Sequence, residues 1–69
     1  MTDAELEYHF MCVRHIEDRP VTVTAGDYAY HGWLVDVFKK RRGAVRCNVE
    51  DENGRLFIHN AGQITRGWQ

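Results

Sequence analysis

From Pro20 onward the chain is cut by turn residues into short runs, and every run in that stretch reads as β. Val21, Val23 and Ala25 alternate with Thr22 and Thr24 and stop at Gly26-Asp27, the pattern of a strand buried on one face. Pro20 suits the start of an edge strand, where its missing amide hydrogen removes no ladder bond. The next run, Tyr28 to Lys39, is long and has Gly32 inside it, where the lack of a Cβ lets a strand bend or bulge. Past the glycine, Trp33, Val35 and Val37 are expected on one face and Leu34, Asp36 and Phe38 on the other.

Residues 39–43, Lys-Lys-Arg-Arg-Gly, form a hairpin connection into residues 44–51, where Val45, Cys47 and Val49 alternate with Arg46, Asn48 and Glu50. Asn53-Gly54 then sits where a two-residue type I′ turn needs positive φ, and residues 56–59 form the returning strand. Residues 60–63 suggest one 3₁₀ turn, and residues 64–68 a last short strand. The expectation is a mainly β chain of five consecutive strands.

The first 19 residues are harder to read. Thr2 and Glu5 have capping-box spacing, and Leu6, Phe10 and Val13 fit one helical stripe. Leu6, Tyr8, Phe10 and Cys12 also alternate with Glu7, His9 and Met11, so a strand competes. A helix is the preferred reading of residues 3–16.

At 69 residues the chain has room for one core, so residues 1–19 are taken as an N-terminal segment on a single β domain of residues 20–69. Five short strands, a glycine-bent second strand, two tight hairpins and a one-turn helix before the last strand resemble an SH3-like barrel. The stretches at residues 32–38 and 53–58 also resemble small bacterial proteins of this architecture. That barrel hosts ligand binding, oligomerisation and occasional catalysis, so the likeness implies a fold and no particular activity. The type II dihydrofolate reductases share the fold and carry a Val-Gln-Ile-Tyr pore motif. The matching segment here is Gly62-Gln63-Ile64-Thr65, in which glycine replaces the valine and threonine replaces the stacking tyrosine.

Catalytic groupings are scarce. The chain has no serine, which excludes a Ser-His-Asp site, and neither Cys12 nor Cys47 follows a glycine-rich strand-to-helix elbow. Cys47 falls on the expected core face, where a cysteine is ordinarily an inert small hydrophobe, and His31 and His59 lie in strands as packing residues. His9, Cys12 and His15 are zinc-ligand types, but steps of three drift around a helix and no fourth ligand follows at finger spacing. The expectation is no enzyme, no cofactor and no metal site.

Two surfaces remain. Lys39, Lys40, Arg41 and Arg42, with Arg46 nearby, could contact nucleic-acid phosphates, although a basic loop more often serves to stay solvated and discourage edge pairing. Asp36, Glu50, Asp51 and Glu52 shrink that positive field, and the net charge of −1 argues against a whole surface built for polyanions. Aromatics are 12% of the chain, too many for a narrow barrel to enclose, and Tyr28, Tyr30, Phe38 and Trp68 are the expected protein-interface residues. A protein partner or a second copy is the preferred expectation and nucleic acid the alternative. Two cysteines, no signal-peptide pattern and no 18-residue apolar run fit a cytoplasmic protein that does not enter a membrane.

Overall fold

The computed structural model describes residues 1–69. Thr2 caps the first helix, α1 (Asp3–Cys12): its hydroxyl accepts the Glu5 amide hydrogen while the Glu5 carboxylate accepts that of Thr2. Those bonds to the charged carboxylate hold Glu5 below the usual carboxylate range. The box decides the helix-or-strand ambiguity because it offers orphan amides partners that a strand would not need.

A 3₁₀ turn at Ile16–Asp18 leads to β1 (Pro20–Ala25), β2 (Tyr28–Lys39), β3 (Val45–Asp51) and β4 (Leu56–Asn60). A second 3₁₀ turn at Ala61–Gln63 precedes β5 (Ile64–Arg66). The strands form one antiparallel sheet in the order β4-β3-β2-β1-β5. The sheet is not closed, so β4 and β5 are both edges. A mainly β chain with an N-terminal helix is what the residue pattern implied; the closed barrel expected from the SH3-like resemblance is not seen.

Val21, Val23, Leu34, Val45, Cys47, Val49 and Ile64 fill one face of the sheet, with Leu6 of α1 inserted among them. Buried Arg19 holds the helix there. Its Nη1 donates to the carbonyls of Phe10 and Val13 at the C-terminal end of α1, and its guanidinium lies 4.5 Å from the Phe10 ring centre. A cation suits that end of the helix dipole.

Three local expectations are corrected. The irregularity in β2 falls at Val35, one residue more than β3 can match between Leu34↔Val49 and Asp36↔Asn48. The extra residue flips the side-chain alternation, so Val37 joins Leu34 on the core face while Asp36 and Phe38 share the outer face with Trp33. Gly32 serves a different end: a Cβ there would collide with the Glu50 carbonyl oxygen. At the β3–β4 hairpin no non-glycine residue has positive φ, so Asn53 is not in a type I′ turn. The loop has three residues, with Gly54 at φ 81° and its amide donating to the Asp51 carbonyl. The Asp51 carboxylate selects this form by accepting the amide hydrogens of Asn53 and Arg55, both at 2.9 Å. Finally, β5 ends at Arg66, and residues 67–69 fold back over the outer face.

Candidate functional site

The expected interface residues do not form one patch. Tyr28 and Tyr30 stand on the core face at the start of β2, with rings stacked 6.2 Å apart. Phe38 is half-buried on the outer face at the far end of the strand. Trp68 also lies on the outer face, stacked 5.0 Å from His31 and edge-on to Trp33, with its indole N–H donating to the Gly32 carbonyl. Trp68 is thus engaged in closing the chain's own C-terminal segment onto β2.

The basic tip is as expected in position: Lys39, Lys40, Arg41 and Arg42 are all exposed, and none has a carboxylate within ion-pair distance. Arg46 is half-buried and donates to the Val45 carbonyl. The tip and the Tyr28–Tyr30 pair occupy opposite ends of the 12-residue strand β2, so they do not combine into one surface for a stacked, phosphate-bound strand. His9, Cys12 and His15 do not converge either. His9 is buried with Nε2 unpartnered, Cys12 and His15 are exposed, and no group of three potential ligands exists in the chain. Burial and the nearby Arg66 and Arg19 push the His9 pKa down.

The residues that the alternation did not single out lie on β4. Tyr30 reaches across to it, its ring 5.8 Å from Phe57, and its hydroxyl is 2.5 Å from His59 Nε2. His59 is 6% exposed, and its Nδ1 lies 3.2 Å from Gln63 Oε1. The Asn60 backbone amide donates to that same oxygen, which fixes the Gln63 amide orientation. Oε1 can only accept, so His59 carries its hydrogen on Nδ1, and neutral Nε2 accepts from the Tyr30 hydroxyl. The chain of bonds is therefore directional: Tyr30 to His59 to Gln63. Burial pushes the Tyr30 phenol up to about 12 and the Cys47 thiol up to about 11, so neither is an activated nucleophile. The network braces β2 against β4.

Beyond it, β4 is bare. Leu56, Phe57 and Ile58 are 58%, 41% and 61% exposed, three consecutive apolar residues at a sheet edge. Phe57 pairs with Val49 and lies on the core face; Leu56 and Ile58 pair with Glu50 and Asn48 and lie on the outer face. The Asp51 amide donates to the Arg55 carbonyl, so the antiparallel alternation turns Phe57 and His59 toward β3. The backbone N–H and C=O groups of Leu56 and Ile58 consequently point outward along a free edge. The sequence signal was three apolar residues in a row with no polar alternation.

The other edge differs. On β5, the outward carbonyls of Ile64 and Arg66 are occupied, the first by the Met1 nitrogen at 2.6 Å and the second by Gln69 Nε2 at 3.0 Å. Two open hollows complete the surface, one of about 460 Å³ beside Glu5 and Arg66 and one of about 270 Å³ between Ile16, Glu17, Trp33 and Glu50. Neither brings a nucleophile to a base. No helix is long and apolar enough to cross a membrane. No protein-family model, curated protein or solved structure matches this chain.

Proposed function

We propose that this chain is a non-enzymatic interaction module of SH3-like type that binds a protein partner through its β4 edge. One observation carries the reading: β4 is unpaired along one side and apolar on both faces, with Leu56 and Ile58 outward on one and Phe57 on the other. Soluble proteins ordinarily blunt such an edge with lysine, proline or a covering loop, because it is a template for strand addition. The strand order, the bulged long β2 and the 3₁₀ turn before β5 support the SH3-like likeness. Two unpaired cysteines, one of them exposed, suit a reducing compartment such as the cytoplasm.

Light scattering across a concentration series, paired with an oligonucleotide titration at two salt concentrations, tests this. The expected result is concentration-dependent association that Ile58→Lys abolishes, with no steep salt-dependent binding to DNA or RNA. The unpaired cations at residues 39–42 support a second reading, nucleic-acid binding by the hairpin tip. A monomer that binds oligonucleotides with a steep salt slope, lost when residues 39–42 are neutralised, would establish the second reading over the first.

A further inference from the structure

Two edges of one sheet are built differently, and the difference identifies the partner. An edge strand can be extended by a strand of another protein or by an edge of a second copy. Head-to-tail pairing of β4 with β5 of a second copy would bring new donors onto the outward carbonyls of β5, where the Met1 nitrogen and Gln69 Nε2 already stand as donors along that edge. The only open edge that the chain offers to itself is another β4.

We infer that β4 pairs antiparallel with β4 of a second copy about a two-fold axis at Phe57, joining two five-stranded sheets into one of ten strands. This rests on the reading of β4 as the docking edge and adds the identity and register of its occupant. The register follows from which backbone groups are free. With Phe57 opposite Phe57 of the second copy, Leu56 lies opposite Ile58, and the outward N–H and C=O groups of those residues exchange four hydrogen bonds. A shift that set Ile58 opposite itself would pair Leu56 with Asn60, whose amide is already committed to Gln63. The same register places Leu56 beside Ile58 on the outer face, twice, and the two Phe57 rings side by side on the core face.

Charge agrees with this arrangement. The basic residues 39–42 lie at the end of the sheet where β3 begins, and Glu50 and Glu52 lie at the opposite end, where it turns into β4. A two-fold axis normal to the sheet reverses the second copy, so each basic tip comes to the same end of the ten-stranded sheet as the other copy's acidic hairpin, about three strand spacings to the side and further along the strands, roughly 15–20 Å in all. That separation exceeds a Debye length of about 8 Å at physiological salt and falls well inside the 30 Å at 0.01 M, so association strengthens at low salt. Three half-exposed side chains per copy fall well short of the roughly 20–30 residues a side of a stable complex, so the pairing is expected to be weak and to need a concentrated solution.

Cysteine cross-linking in a Cys12→Ala background, combined with light scattering of the unaltered chain, tests the register. Residues facing each other at a non-hydrogen-bonded antiparallel site have Cα atoms about 4.5 Å apart, within disulfide reach. Phe57→Cys is expected to form a self-linked dimer under mild oxidation. Leu56→Cys and Ile58→Cys are each expected to stay unlinked alone, because like positions lie diagonally, but to link with one another when mixed. Light scattering should show a dimer of twice the 8.1 kDa chain mass at high concentration. A larger ring, or linkage of Phe57→Cys to Thr65→Cys in preference to itself, overturns the two-fold pairing and leaves the β4 docking edge standing. A chain that remains monomeric at several hundred micromolar, with no cross-link at any of the three positions, overturns self-pairing altogether.

Discussion

Replacing Tyr30 with phenylalanine removes one oxygen and tests whether the β2–β4 brace is real. The hydroxyl donates to His59 Nε2, and His59 is 6% exposed. The bond itself contributes about 1 kcal/mol net, and a buried imidazole nitrogen left without its donor costs about 1–3 kcal/mol more. Tyr30 is half-buried, so water recovers part of that second cost. The expected loss is about 1–2 kcal/mol, which for a chain of this length lowers the melting temperature by roughly 5–15 °C. Thermal denaturation followed by circular dichroism measures it. Nitrogen-15 spectra of the His59 ring supply a second readout, since Gln63 Oε1 requires the hydrogen on Nδ1. A variant as stable as the parent, or a ring protonated on Nε2 in the neutral parent, would refute the directional network.

Other groups give further tests. Cys47 and Tyr30 have folded pKa values raised to about 11 and about 12, above their unfolded values of about 8.5 and 10, so each contributes stability that is complete below its unfolded value. That stability is lost as pH rises through the folded values. Alkaline denaturation should therefore set in between about pH 9 and 12, and Cys47→Ala should remove its lower part. In the native chain a thiol reagent should label exposed Cys12 quickly and Cys47 only on unfolding. His9 is pushed the other way, so its contribution is present above about pH 6.5 and lost as pH falls toward its lowered folded value. His9→Met should flatten the acid limb of the stability profile, and an unchanged limb would mean that His9 is not buried neutral. Gly32→Ala should cost about 1–3 kcal/mol in urea denaturation, because its Cβ meets the Glu50 carbonyl, a backbone atom that cannot swing aside.

The alternation in β1 and β3 was legible because each has one face on the core and one toward solvent or polar neighbours. The capping box was legible too, although the strand pattern over Leu6, Tyr8 and Phe10 was nearly as good. What the alternation hid was the parity flip at Val35, since a bulge has no obligatory residue type and Gly32 offered a more obvious place for it. The Asn-Gly pair signalled a turn but not its length. That was decided by the Asp51 carboxylate, which sits in the strand and gathers two loop amides.

For the site, the aromatics were visible in the composition but their partners were not. Tyr30 finds Phe57 and His59, and His59 finds Gln63, only once β2, β3 and β4 lie side by side. Leu56-Phe57-Ile58 read as an ordinary returning strand. Its exposure is a property of sheet order, which leaves β4 at an edge and no element of the chain covering it. The occupied carbonyls on β5 depend on Met1 and Gln69, residues at either end of the sequence that no local pattern connects to Ile64 and Arg66.

Residue-resolved amide hydrogen exchange, recorded at low and at high protein concentration, tests the docking edge most directly. The Leu56 and Ile58 amides point outward from β4 and should exchange rapidly in dilute solution. Pairing at β4 predicts that both slow by at least about tenfold as the protein is concentrated to several hundred micromolar, while amides on β5 do not change. Exchange at Leu56 and Ile58 that is independent of concentration, or protection that grows on β5 instead, would contradict it.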